Sequence, residues 1–379
     1  MPTNIPTNGA DFLVGTSGDD TISALAGNDN LRGGLGADVL NGGAGFDRAD
    51  YRDSAVGIVI QYDSGTQNSA TGSGVGATSD GDVLTSIEAI VGSSHDDFVD
   101  GNGGDQTFFK IGGSDTFYGN GGVDKIDYEI ATDAQAGMGI VVSLQNFTAG
   151  FANFDATDVN QWTTNTSGYL NSQVGTPRDV LLNISDVDGT QNADWIVGAN
   201  GVANTLDGHD GDDNLFGMTG NDTLYGGDGH DLLDGGWDDD WLRGENGADR
   251  LYGDFGDDRL LGGNGHDALD GGTGEDRLYG DAGDDILYAG DDQDNDYMTG
   301  GAGFDQFVFG DNIGKDRVLD FTDGEDILDF SQNSGINDFS DLVMSEVNGH
   351  VRINVSNGNI VYVYDTALAD LDASDFAFI

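Results

Sequence analysis

Cysteine is absent, and the 379 residues hold only three prolines and 13 lysines and arginines. Without cysteine there can be no disulfide framework and no thiolate metal site. The few basic residues face 69 acidic ones, for a formal net charge of −56. Nucleic acid phosphates need cationic partners, so this balance argues against nucleic acid and against direct contact with anionic membrane. No stretch approaches the roughly 18 apolar residues of a membrane helix. The opening "MPTNIPTNGADFLVG" has no basic segment followed by an apolar run, so no ordinary signal peptide is expected there. Glutamate is also rare, with six Glu against 63 Asp. Solubility alone would not discriminate between the two acids, so the bias points to a geometric need for the short carboxylate.

What is abundant is glycine, 64 residues of it. Many glycines with few prolines suit ordered tight turns better than a flexible linker. Phased on Gly208, the chain falls into nine consecutive blocks of nine residues. Position 1 is Gly in all nine, and position 8 is Leu in all nine, from Leu215 to Leu287. Position 6 is always Asp: Asp213, Asp222, Asp231, Asp240, Asp249, Asp258, Asp267, Asp276 and Asp285. Position 4 is Gly except at Asp238. Shorter arrays carry Asp20, Asp29, Asp38 and Asp47, then Asp97, Gln106, Asp115 and Asp124, at position 6. Two degenerate blocks with Asp194 and Asn204 lead into the main array. An 11-residue block containing Asp296 and a block with Asp305 follow it.

A fixed period of nine predicts a solenoid. The glycine-rich half needs positive φ and a close backbone path. The other half is a three-residue strand whose central side chain points inward. Two halves close one turn, and stacked turns lie about 4.8 Å apart with an inner ladder of leucines. One large side chain per nine residues is a thin core to set against the backbone entropy of so many glycines. Stacking also brings Asp residues 18 apart face to face, and two bare carboxylates about 5 Å apart repel by roughly 3 kcal/mol at an effective dielectric near 20. Between residues 208 and 288 there are 22 acids against four arginines. A divalent cation between turns resolves the repulsion. Carboxylates with backbone carbonyls suit Ca2+ best and Mg2+ second.

These arrays match G-G-x-G-x-D-x-U-x, and the chain therefore resembles the repeats-in-toxin (RTX, haemolysin-type) calcium-binding family, whose nonapeptide is a known β-helix repeat. The resemblance implies an all-β, right-handed parallel β-roll with calcium between successive loops. It carries the position-6 residues named above, with Asp194, Asp296 and Asp305, over as ligands together with nearby glycine carbonyls. Gln106 and Asn204 would mark weak or empty sites, and Asp238 would perturb its turn.

The expected organisation is N-terminal repeats over 1–50, a β connector over 51–91, a second array over 92–127, a longer connector over 128–188, the main roll over 189–303, and a C-terminal β cap over 304–379. The second connector is a copy of the first with about 20 extra residues: the exits at 47 and 124 are offset by 77 residues, the re-entries "GDVLTSIEAIVGSSHDDFVDG" and "RDVLLNISDVDGTQNADWIVG" by 97. The extra length, 146–172, holds Phe147, Phe151, Phe154, Trp162 and Tyr169. Those rings either cover the edge of the roll or form a contact surface for glycan or protein. In the cap, "HVRINVSNGNIVYVYD" alternates around Asn357-Gly358 and predicts a hairpin. The end, "DASDFAFI", resembles the uncleaved export signal of type I secretion substrates, with an ordinary terminal strand as the other reading.

No H-E-x-x-H, G-x-S-x-G or phosphate-binding loop is present. The five histidines fall in loop positions or at the hairpin, and carboxylate pairs are too numerous to single out a glycosidase dyad. The expected function is a secreted calcium-binding repeat protein that folds on extracellular calcium, leaves by the type I secretion machinery, and has a structural or adhesive role toward polysaccharide or a cell surface. The alternative is a carbohydrate-active or other secreted enzyme, or its non-catalytic module, built on the same repeats. A pore-forming role would need long apolar or amphipathic helical segments, which the sequence lacks.

Overall fold

A computed structural model describes residues 5–62, 69–72, 81–101, 104–113, 115–119, 122–128, 141–143, 180–182, 185–355 and 358–378. The aromatic insert 146–172 lies outside them. The chain divides into two units, Met1–Gln191 and Asn192–Ile379. Each is a parallel β-solenoid, and among the described residues helix is confined to short 3-10 turns.

In the second unit the nine-residue period becomes two ladders. One runs Leu206, Leu224, Leu242, Leu260, Leu278 and Met298, each opposite the next in parallel register. The other runs Ile196, Leu215, Leu233, Leu251, Leu269, Leu287 and Phe307. All of these side chains are buried. The position-7 and position-9 side chains flanking each leucine point outward, as the two-residue alternation of a strand requires.

Several strands continue through the following loop, as in Thr223–Gly229 and Trp241–Gly247. The continuation depends on position 4. Gly247 has φ +149, and a Cβ there would stand 1.4 Å from the Gly229 carbonyl oxygen of the preceding turn. At Asp238, the one departure, φ is +78. Its side chain compensates by accepting the Gly220 N–H at 3.2 Å.

Parallel stacking runs on beyond residue 303. Gln306–Val308, Lys315–Val318 and Ile327–Asp329 extend the two ladders through Phe307, Val318 and Leu328. Two further repeats are hidden here, "GKDRV" at 314–318 and "GEDIL" at 324–328, each with Gly at position 4 and Asp at position 6 but no Gly at position 1. An antiparallel meander then follows, Val343–Val347, His350–Asn354 and Ile360–Val363. The last two strands are those expected around Asn357-Gly358, with Asn357 itself outside the described residues. The meander docks through Ile360–Val363, parallel to Lys315–Val318. The apolar tail supplies the strand Phe376–Ala377 beside Ile327–Asp329. Phe376 is buried there and stacks on Phe330 and Phe378.

The first unit uses the same construction with a more varied core. One ladder holds Leu13, Leu31, Ala49, Ile90, Phe108, Ile126 and Val187. A second holds Ile22, Leu40 and Leu84, and a third Ile60, Val99 and Phe117. The first connector joins these last two: Val59–Tyr62, Ser69–Gly72 and Val83–Thr85 pair antiparallel in one sheet with the parallel strands.

Candidate metal centre

The repeat places its position-6 aspartate at the end of a glycine turn, just before the strand, with the side chain directed inward. Asp213, Asp231, Asp249, Asp267 and Asp285 are each no more than 2% exposed. Their arrangement differs from a face-to-face pair of carboxylates. Oδ1 of each accepts the backbone N–H of the position-6 residue one turn earlier: Asp213 N to Asp231 Oδ1 at 2.8 Å, Asp231 N to Asp249 at 2.8 Å, Asp249 N to Asp267 at 2.9 Å. The other column repeats this from Asn204 N to Asp222 Oδ1 through Asp240, Asp258 and Asp276 to Asp296, at 2.7 to 2.8 Å.

The adjacent position-5 residue runs a reciprocal ladder in the opposite direction. Asp212 Oδ1 accepts the His230 N–H at 3.0 Å, and His230 Nδ1 accepts the Ala248 N–H at 2.9 Å. Asp239, Asp257 and His266 do the same for Asp257, Glu275 and Asp284. Acids therefore stand side by side because one ties the turn backward and the other forward. His230 and His266 are rung acceptors in this outer ladder.

The inner ladder leaves a debt. With Oδ1 engaged, Oδ2 is buried without a hydrogen-bond partner at Asp29, Asp38, Asp47, Asp124, Asp213, Asp222, Asp231, Asp240, Asp249, Asp258, Asp267, Asp276, Asp285 and Asp305. A buried carboxylate oxygen with no donor is expensive. Burial, reinforced by neighbouring carboxylates, pushes Asp231 up to about 6, Asp249 to about 7, and Asp213, Asp240 and Asp276 to about 8. The position-1 glycines show what lies beside these oxygens. A Cβ on Gly208 would collide with Asp213 Oδ2 and with the Gly226 carbonyl of the next turn. Gly217, Gly244, Gly253 and Gly262 repeat the arrangement with Asp222, Asp249, Asp258 and Asp267 and the corresponding carbonyls. At these repeats the missing side chain of the position-1 glycine leaves a gap walled by a carboxylate and a carbonyl oxygen. Hard oxygens in regular repeat are the donor set that Ca2+ takes. The residues thus fit a calcium ion by orphaned charge, by space and by chemistry.

Three other expected ligands, Asp97, Asp20 and Asp115, are satisfied by protein. At Asp97, Ser93 donates N–H to Oδ2 at 2.7 Å and Oγ–H to Oδ1 at 2.6 Å. At Asp20, Thr16 donates both groups to Oδ2, at 2.6 and 2.7 Å. Asp115 is paired with Lys110. Asp194 and Asp296 keep their rungs, through Asp213 Oδ1 at 2.6 Å and Asp316 Oδ1 at 3.3 Å. Asn204 and Gln106 hold the same backbone rungs as aspartate, donating to Asp222 and Asp124.

Four residues act in these ladders without having been expected. Asp316 is fully buried with an orphaned Oδ2, and burial together with Asp296 pushes it up to about 9. Asp326 accepts the Asp305 N–H at 3.0 Å. Both sit in the G-x-D-x-(V/L) remnants, which a search keyed on position-1 glycine passes over. Asp82 and Glu88 accept the Asp38 and Asp47 N–H groups at 2.7 and 2.8 Å across the first connector. No repeat signal marks these two.

A family model of the RTX calcium-binding nonapeptide repeat matches residues 6–40 and 14–49, 112–133, and six overlapping segments from 188 to 307. No curated protein matches the chain. Among solved structures, a subunit of the mannuronan C5-epimerase from Azotobacter vinelandii aligns at 24% identity over 38% of this chain and 78% of its own, with TM-score 0.25. The extracellular lipase LipA from Serratia marcescens aligns at 16% identity over 78% of this chain and 40% of its own, with TM-score 0.26.

Proposed function

Because the chain belongs to the RTX calcium-binding nonapeptide repeat family, we propose that it is a secreted scaffold whose solenoid is completed by calcium. The single observation that carries this reading is the row of buried, partnerless Oδ2 atoms, which in the main array lie beside position-1 glycines. Asp29, Asp38, Asp47, Asp124, Asp213, Asp222, Asp231, Asp240, Asp249, Asp258, Asp267, Asp276, Asp285 and Asp305 are the proposed ligands, with the facing glycine carbonyls. Asp194, Asp296 and the unexpected Asp316 extend the same rows.

Calcium, when bound, supplies the positive charge that the buried carboxylates lack. The chain does the rest. The Oδ1 ladder fixes each carboxylate, and the glycines bring carbonyl oxygens within reach of it. In a compartment poor in calcium the uncompensated charge opposes stacking and keeps the chain extended, a state fit for export by the type I machinery. At the millimolar calcium outside a cell, sites with dissociation constants of about 0.1–1 mM would fill and the roll would form. A structural or adhesive role toward polysaccharide or a cell surface is supported by the repeat-built, strongly acidic character of the chain. The insert 146–172 supplies the aromatic contact residues for it.

Calcium titrated into chelator-treated protein, followed by far-UV circular dichroism with magnesium as control, tests this. The reading expects a cooperative gain of β signal near millimolar calcium and none with magnesium. Equal β signal in chelator would overturn it.

A further inference from the structure

In the second array Lys110 stands at position 1, where the other repeats of this array place Gly92, Gly101 and Gly119. Its side chain is 4% exposed, and Nζ donates to the Gly113 carbonyl at 2.6 Å and to Asp115 Oδ2 at 3.0 Å. Asp115 Oδ1 meanwhile accepts the Asp97 N–H at 2.8 Å, the ordinary rung of the ladder. The ammonium group is therefore bound to the carboxylate oxygen that has no partner in the regular repeats, and to a position-4 carbonyl beside it. An ammonium is a compact point charge with three donors and can replace a cation between hard oxygens.

The two preceding repeats of this array also dispense with metal. Asp97 has both oxygens occupied, by Ser93 and by the Ile58 N–H at 2.8 Å. Gln106 carries no charge. The inner positions hold Phe108 and Phe117, both fully buried and stacked at 5.2 Å, where the main array has leucine. An aromatic pair gives this segment more buried apolar area per turn than a leucine ladder gives.

We infer that Lys110 is a tethered cation that takes the place of calcium in its own repeat, so that Asp115 is not a metal ligand and residues 92–118 form a calcium-independent core of the first unit. This inference rests on the calcium reading of the other repeats. It gives the extended chain a pre-formed segment on which neighbouring turns stack when calcium arrives.

Amide hydrogen exchange on the full chain, in chelator and in 5 mM calcium (a concentration chosen to saturate sites of about 0.1–1 mM), tests it with two variants. In the wild type the amides of Asp97 and Thr116 should be equally protected in both conditions, while those of Asp231 and Asp249 lose protection by ~100-fold or more in chelator. Lys110→Gly restores the family residue. It should make protection at Asp97 and Thr116 calcium-dependent and raise the number of calcium ions bound per chain. Lys110→Met fills the same space without charge, so protection there should fall in chelator and calcium should not restore it. Wild-type loss of protection at Asp97 in chelator, or a Lys110→Gly chain that binds no more calcium than wild type, would overturn the inference. Protection of Asp231 in chelator would instead overturn the calcium reading, and Lys110→Met would then still decide the role of the lysine.

Discussion

Replacing Asp249 by asparagine separates the two tasks of one side chain. Asn keeps an acceptor for the Asp231 N–H, now bonded to Oδ1 at 2.8 Å. It replaces the orphaned Oδ2 with an amide that faces the Gly262 carbonyl. In chelator the ionised wild-type carboxylate is a liability. Burial pushes it from 3.8 to about 7. Near pH 8 that rise of about three pH units corresponds to roughly 4 kcal/mol against the folded state, at 1.36 kcal/mol per unit. Removing the charge should therefore stabilise the metal-free roll by roughly 2–4 kcal/mol, the lower figure allowing for imperfect amide pairing. In saturating calcium the sign reverses, because a site has lost a charged ligand and its affinity should fall on the order of tenfold. Asn204 stands at position 6 in the native sequence with its side-chain Oδ1 accepting the Ala199 N–H at 2.7 Å, and its backbone N–H still donates to Asp222 Oδ1, so the backbone rung survives an asparagine there. Urea unfolding of wild type and Asp249→Asn, each in chelator and in calcium at pH 8, gives all four stabilities. Destabilisation of the same size in both conditions would refute the reasoning, since the carboxylate would then be a structural acceptor only.

Metal-free protein should gain order in acid. The buried aspartates have folded values raised above 3.8, to about 6 at Asp231 and about 8 at Asp213. Their contribution is complete below the unfolded value and lost as pH rises through roughly 6 to 8. Circular dichroism in chelator should therefore show more β signal at pH 5 than at pH 8, and calcium affinity should weaken over the same descent. Gly247→Ala should cost more than 4 kcal/mol or prevent folding even in saturating calcium, because its Cβ would meet the Gly229 carbonyl at 1.4 Å. Gly324→Ala, at φ +77 with open space around it, should cost about 1 kcal/mol by the same urea assay. Leu251→Ala removes a fully buried rung of the apolar ladder and should cost about 2–5 kcal/mol, with calcium raising the midpoint of both chains equally.

Much of this was legible because the period is strict. Nine-residue spacing with invariant Leu and Asp specifies both the ladder Leu215–Leu287 and the inward position of Asp213 through Asp285. The positive φ at position 4 followed from glycine, and the structure adds that position 1 is glycine for space. The direction of the rungs was not legible. Spacing brings Asp213 and Asp231 to adjacent turns, but whether they meet as two carboxylates or as amide and carboxylate depends on side-chain torsions that no period encodes. The repeats at 314–318 and 324–328 were hidden because they lack position-1 glycine. Asp82 and Glu88 enter the ladder from a connector whose path is set by an antiparallel pairing, not by repetition. Lys110 at position 1 was passed over in the sequence, since its meaning required knowing that Asp115 Oδ2 lies at its tip.

Anomalous diffraction from crystals grown in calcium tests the central claim most directly, since it sees the ion and its ligands together. Peaks are expected in the main array beside the Oδ2 atoms of Asp213, Asp222, Asp231, Asp240 and Asp249, at about 2.3–2.6 Å and completed by glycine carbonyls. No peak is expected at Asp115. Calcium confined to exposed acids such as Asp239 and Asp257, with the buried Oδ2 atoms left bare, would contradict the account.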